Sequence, residues 1–296
     1  MILNVSGRTD VVAFYSEWFI NRYREGFVDV RNPFNNKLVS RINFEDVDMI
    51  VFCTKNPLPI IPYLKEIDKP ILFQVTLTGY DKDIEPNVID KTKIIEGIKE
   101  VSKIIGKDNV NVRYDPIFIS DKYNAYYHVK ALKKLCDLLD GYISKVIISF
   151  IDDYKNVRKN YKDIGFRDFI EEDYKIIGTE FSKIAEEKNI IIHTCFEKRT
   201  LEEYGLKRDD CVSHTLTFKM TGKTGFKTWK ARGEGNCKCV EMIDIGVYNT
   251  CRHFCKYCYA NYDERKVLEN MKKHNPNSSL LIGELSKDDV IKIRRK

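Results

Sequence analysis

"EMIDIGVYNTCRHFCKYCYAN", residues 241–261, decides how the chain is read. Its first eight residues read as a strand, and that strand runs straight into Cys251, Cys255 and Cys258. The spacing, Cys-x3-Cys-x2-Cys, places three thiols on one short loop. Thiolates are the ligands of a [4Fe–4S] cluster, and three of them leave one iron without a protein ligand. An open position on a metal is where a substrate or cofactor binds. Zinc is the alternative, because His253 inside the motif would complete a set of four ligands.

The 296 residues suffice for one large α/β domain or two small ones, with a full core. Hydrophobic residues make up 43% and charged residues 32%, the balance of a soluble globular protein. The first residues, "MILNVSGRTD", contain no basic stretch followed by an apolar run, so no signal peptide is expected. No apolar run approaches the roughly 18 residues of a membrane span. A cytoplasmic protein follows by default. The net charge of +6 is spread over lysines of helix-like stretches such as "KALKKLCDLLD". It permits an anionic partner without requiring one. Nine cysteines, an odd number, in a compartment that disfavours stable disulfides point to metal.

Apolar, β-branched runs alternate with helix-like ones. The expected strands are 2–6, 49–54, 71–78, 110–115, 145–152, 189–195 and 241–248. The expected helices are 10–25, 57–66, 90–105, 124–140, 167–188 and 263–272. Near-continuous apolar strands suit a parallel sheet covered on both faces, and repeated βα units suggest a βα barrel. Six of the strands end in polar residues. These include Arg8, Thr9 and Asp10, then Lys55, Gln74, Thr76, Arg113 and Asp115, and finally Asp152, Asp153 and His193. In a βα barrel the carboxyl ends of the strands build the active site. Polar residues also simply end strands, and Asp10 is placed to cap the following helix.

Four segments result. Residues 1–195 are βα barrel units, and 196–240 form an irregular insertion rich in cysteine, Gly and Thr. Residues 241–272 are the motif's strand, loop and helix, and 273–296 are a polar peripheral tail. Cys53 and Cys136 read as small buried hydrophobes. Cys195, Cys211, Cys237 and Cys239 remain, and four is the number for a closed second centre, a [4Fe–4S] cluster ahead of zinc.

The motif, with Tyr257 before its last cysteine and a strand before its first, resembles the signature of the radical S-adenosylmethionine (radical SAM) superfamily. "TKNP" (54–57) and "RYDPI" (113–117) are similar to elements of its spore-photoproduct-lyase-like branch. The whole chain resembles the DUF1848 family, in which "S-x-RTD", "TKNP", "RYDPI" and "YNTC-x3-C-x-YCYAN" occur in this order.

The superfamily resemblance implies a [4Fe–4S] cluster on Cys251, Cys255 and Cys258 whose open iron binds S-adenosylmethionine. It implies Tyr257 near the adenine and Lys55 or Arg113 as cationic partner of the methionine carboxylate, with Gln74 and Thr76 meeting the amino group or ribose. It implies an enzyme that cleaves S-adenosylmethionine reductively, fed by an electron donor such as flavodoxin or ferredoxin. The substrate is open: charge and the lyase-like resemblance together point to a nucleic acid or nucleotide, with a peptide or small metabolite as alternatives. In the superfamily the cluster loop follows the first barrel strand, whereas here six strands precede it. The fold expected is therefore a (partial) TIM-type βα barrel, circularly permuted, with strand 241–248 beside strand 2–6. The alternatives are a separate ferredoxin-like C-terminal domain, and a metal-stapled binding module without this chemistry.

Overall fold

Short β-branched runs and amphipathic stretches alternate along the chain as βα units. The computed structural model describes residues 1–195, 197–230 and 237–295. Strand β1 (Ile2–Val5) leads into α1 (Val11–Phe14) and α2 (Ser16–Glu25). An excursion of β2 (Phe27–Arg31) and β3 (Leu38–Asn43) precedes β4 (Met49–Thr54). A 3-10 segment, Leu58–Glu66, joins β4 to β5 (Ile71–Thr76). Then come α3 (Lys91–Ile105), β6 (Val110–Ile117), α4 (Ala125–Leu138), β7 (Lys145–Phe150), α5 (Lys155–Arg158), α6 (Glu171–Lys188) and β8 (Ile191–Thr194). The last part carries β9 (Lys207–Arg208), α7 (His214–Thr221), β10 (Met242–Asp244), α8 (Glu264–Met271) and β11 (Val290–Ile293).

Local chemistry sets the helix ends. The Asp90 carboxylate accepts the Thr92 N–H at 2.8 Å, and Asn124 accepts the Tyr127 N–H at 3.0 Å. Gly26, at φ 84°, closes α2 in the left-handed region.

Eight strands form one parallel sheet in the order β10-β1-β4-β5-β6-β7-β8-β9. Strand β10 lies beside β1, with Met242 opposite Ile2 and Asp244 opposite Asn4. The motif's strand thus belongs to the main sheet and not to a separate C-terminal domain. The barrel expectation is corrected in one respect. The sheet does not close, and β10 and β9 are its two edges among the described residues. Both are short, three and two residues, and so offer little to pair.

Alternate residues face opposite sides of each strand. One face, with Leu3, Val5, Phe52, Phe73, Val112 and Ile148, packs on α3, α4 and α6. The other face, with Ile2, Met49, Val51, Leu72 and Ile147, has a second core. There it meets Val212, Val240 and four cysteines from the segment after β8. Covering both faces explains why these strands are apolar throughout. The insertion expected over 196–240 therefore lies on the inner face; residues 196 and 231–236 of it fall outside the described residues.

A smaller sheet, β11-β3-β2, was not expected. Strand β11 arises within the tail and runs parallel to β3. Before it, the backbone carbonyls of Ser278 and Asn277 accept bonds from Trp18 Nε1 at 2.9 Å and Arg22 at 3.0 Å. Among the described residues, no helix is long and apolar enough to cross a membrane.

Two measurements test this framework. Asp244 accepts bonds from Asn4 Nδ2 and Ser6 Oγ at 2.9 Å, Gly7 N–H at 2.6 Å and Gly246 N–H at 2.8 Å. At about 0.5–1.5 kcal/mol for each of the four bonds, Asp244→Ala is expected to lower stability by about 2–6 kcal/mol in urea unfolding. His128 is buried, donates from Nε2 to the Phe118 carbonyl at 2.9 Å and accepts the Tyr114 hydroxyl at Nδ1, also at 2.9 Å. Burial holds its pKa down to about 4. Unfolded, the ring protonates near its ordinary 6.5, so between these values the unfolded chain binds more protons. The contribution is therefore complete above pH 6.5 and is lost as pH falls to 4, on the order of 3 kcal/mol. His128→Gln should flatten that slope.

Candidate functional site

All strands of the main sheet point the same way, so their carboxyl ends share one edge. The motif loop leaves β10 at that edge. Its path includes two residues in the left-handed region, Asn249 at φ 56° and Phe254 at φ 53°. The Asn249 side chain accepts the Tyr262 N–H at 2.6 Å, and Asn261 Nδ2 donates to the Cys251 carbonyl at 2.7 Å. Both bonds close the loop on itself around the cysteines.

Cys251 is buried, while Cys255 and Cys258 are partly exposed. Desolvation pushes all three thiols above their ordinary pKa, against the Lys55 ammonium at Cys255 and Cys258 and with the help of neighbouring charges at Cys251. For Cys251 those neighbours are Asp10 and the other two thiols. Such a set stays protonated by itself and becomes thiolate when a cation binds. Cys258 Sγ already accepts the Ala260 N–H at 3.3 Å.

A buried carboxylate that the sequence did not reveal organises the ground beside the loop. Glu85 is 2% exposed. It accepts Lys55 Nζ at 2.8 Å, Thr78 Oγ1 at 2.8 Å, Lys91 Nζ at 3.3 Å and the Tyr257 hydroxyl. Desolvation would raise its pKa, but Lys55 and Lys91 outweigh it and hold the carboxyl down at about 2. Lys55 is likewise desolvated, yet Glu85 first and then Cys255 keep its ammonium above the usual lysine value. Lys55 Nζ lies 5.3 Å from the centre of the Tyr257 ring, a cation–π contact. The Tyr257 ring in turn lies 5.7 Å from Tyr80 in an aromatic cluster with Phe118 and Tyr123.

Asp10 joins the same group through three contacts. It caps α1 by accepting the Ala13 N–H at 2.9 Å, accepts the Lys55 N–H at 2.8 Å and accepts from His253 Nε2 at 2.9 Å. The capping reading of Asp10 holds, and His253 is engaged by a carboxylate within the motif loop's own support.

Arg113 and Gln74 stand further along the edge. Arg113 donates Nε–H to Asp115 at 2.8 Å and NH1 to Gln74 Oε1 at 3.0 Å. Asp115, then Cys211 and Cys195, are the charges that most favour its guanidinium. Gln74 Nε2 reaches the Cys211 carbonyl at 3.5 Å. Thr76, at the end of β5, is in register with Arg113. So Lys55 and Tyr257 lie at the motif, whereas Arg113 and Gln74 lie toward the second set of cysteines. Asp115 connects the two, since it also acts on Lys55. His193 is buried, with Nδ1 against the Thr194 carbonyl at 3.1 Å, and reads as a core histidine. Cys136 is buried as expected; Cys53 is partly exposed and donates to Asn4 Oδ1 at 3.3 Å.

The site and sheet define an α/β protein with a thiol-bearing loop at the carboxyl edge of parallel strands. Residues 2–260 match the family described as a domain of unknown function, DUF1848, and the chain belongs to that family. The match assigns it no chemistry. No curated protein matches. Among solved structures, the apo crystal structure of 3-keto-D-glucoside 4-epimerase, YcjR, from E. coli is similar at 12% identity, with a TM-score of 0.31. The similarity covers 49% of this chain and 55% of that one, so the chain spans about half the length of that structure, a likeness too slight to carry an argument.

Glu85→Gln keeps the shape and removes the charge, leaving the part-buried Lys55 and Lys91 ammonium groups without the carboxylate they share. It should cost about 3 kcal/mol or more in urea unfolding. A loss under about 1 kcal/mol would show that the carboxylate does not organise this edge.

Proposed function

We propose that the chain is a radical SAM enzyme, with Cys251, Cys255 and Cys258 as ligands of a [4Fe–4S] cluster. The observation that carries this reading is the convergence of those three thiols on one loop beside Lys55 and Tyr257. The donor set fits the group: three desolvated sulfurs, one accepting a backbone N–H, with one ammonium nearby to offset thiolate charge. When bound there, such a cluster would supply the one electron for reductive cleavage of the C5′–S bond of S-adenosylmethionine to methionine and a 5′-deoxyadenosyl radical.

The chain's own residues do the positioning. Lys55 offers a cation to a carboxylate arriving beside Cys255, with Glu85 and Tyr257 fixing its direction. Arg113, Gln74 and Thr76 offer further donors along the same edge. The partly exposed Cys255 and Cys258 leave an approach to the metal, as an open coordination position requires. The pairing of β10 with β1 supports reading the sheet as a circularly permuted, open relative of the βα barrel. The electron comes from a flavodoxin- or ferredoxin-type donor.

Protein purified without oxygen, reduced with dithionite and given S-adenosylmethionine should form 5′-deoxyadenosine. Cys251→Ala should abolish it. Lys55→Met should weaken S-adenosylmethionine binding roughly tenfold or more, as loss of a charge-assisted bond of about 1.5–3 kcal/mol implies. A protein that holds only zinc at the motif and yields no 5′-deoxyadenosine would overturn the reading.

A further inference from the structure

Four more thiols from three separate stretches meet on the inner face of the sheet. Cys195 follows β8, Cys211 follows β9, and Cys237 and Cys239 precede β10. All four are buried. Cys211 Sγ and Cys239 Sγ are 3.5 Å apart. Cys237 Sγ accepts the Cys239 N–H at 3.5 Å. The Cys239 thiol is in hydrogen-bond contact with those of Cys195, Cys211 and Cys237.

These separations discriminate between metal groups. A zinc–thiolate bond of about 2.3 Å sets the sulfur–sulfur edge of a tetrahedron at about 3.8 Å. A four-iron cube holds its four thiolates much wider, roughly 6 Å apart. The 3.5 Å pair, and the 4.8 Å limit within which Cys237, Cys239 and an Asp210 oxygen all fall, match the first and not the second. Asp210 accepts the Lys238 N–H at Oδ1 at 2.8 Å, which holds the Cys237–Cys239 turn beside the other thiols. A disulfide would use two of the sulfurs and leave the other two buried beside it for no reason.

We infer that Cys195, Cys211, Cys237 and Cys239 form a closed, mononuclear tetrathiolate site of the zinc type. The sequence alone favoured a second [4Fe–4S] cluster here, and the spacing favours the smaller centre. Four thiolates around one divalent ion carry two negative charges. Arg113 is placed to offset them, with Cys211 and Cys195 next after Asp115 among the groups that favour its charge. The role follows from position. Val212 and Val240 flank the ligands and pack on Ile2, Met49, Val51, Leu72 and Ile147. The metal pins the segment after β8 over the inner face of an open sheet.

The test is metal and sulfide analysis of protein purified without oxygen, as wild type and as the Cys251→Ala/Cys255→Ala/Cys258→Ala variant. About one zinc per chain is expected in both, with the triple variant free of iron and sulfide. Cobalt loaded into the triple variant should give the intense sulfur-to-cobalt charge-transfer band of tetrahedral thiolate coordination, lost in addition on Cys211→Ser with Cys239→Ser. If that last variant does not fold, the cobalt spectrum of the triple variant decides alone. About four irons and four sulfides remaining in the triple variant would overturn the inference, as would two oxidised thiols and no metal. Failure of wild type to cleave S-adenosylmethionine sinks the proposed function and leaves the zinc result unchanged, so the two failures remain distinguishable.

Discussion

One carboxylate joins the two ends of the chain. Asp244 sits at the end of β10 and gathers donors from β1, from the turn after β1 and from its own loop. Desolvating a carboxylate is costly, and here four donors offset that cost. Because the motif loop leaves the sheet at this residue, the position of the three thiols relative to Lys55, just after β4, is set by it. Gly246 shows how close the approach is, since a Cβ there would overlap Ser6 Oγ. Neither the strand pairing nor the loop's exit tolerates a side chain at that position.

The main strands were legible because a sheet covered on both faces writes itself as continuous apolar runs. The seven expected strands all occur, each within a few residues of its expected ends. The small sheet was hidden for the opposite reason. Strand β2 carries Asp29, buried and paired with Arg41 of β3 at 2.7 Å, so its charges read as loop. Strand β11 is exposed throughout and is held by backbone pairing with β3, which leaves no hydrophobic signature. Glu85 was invisible too. It lies among "DKDIEPN" as one acid of several, and its meaning comes from Lys55, 30 positions earlier, and Tyr257, 172 positions later. The aromatic at 257 was readable as a motif feature, but that its hydroxyl serves a buried carboxylate was not.

Exposure sorts the clustered thiols in a way that spacing only suggested. A centre that must meet a cofactor needs sulfurs near an entrance, and Cys255 and Cys258 are partly exposed beside a lysine. A centre that only holds chain together needs none, and all four remaining clustered cysteines are buried against apolar residues. The same contrast appears in the cations. Lys55 is a point charge balanced by one deep carboxylate, whereas Arg113 is a planar fork braced by Asp115 and Gln74.

Asp115 acts on both cations of this edge. Its carboxylate is bonded to Arg113, which faces Cys211 and Cys195, and it also acts on Lys55, which faces Cys255. A change in charge at the motif alters how strongly Lys55 is held, and Asp115 acts on Lys55 and Arg113 alike. Because the inner segment is fixed at several points, by Gln74 to the Cys211 carbonyl and by Val212 and Val240 to the sheet, Arg113 has little freedom to move away from it. The strand ends on this side of the sheet are thereby tied to one another by side-chain bonds as well as by backbone pairing.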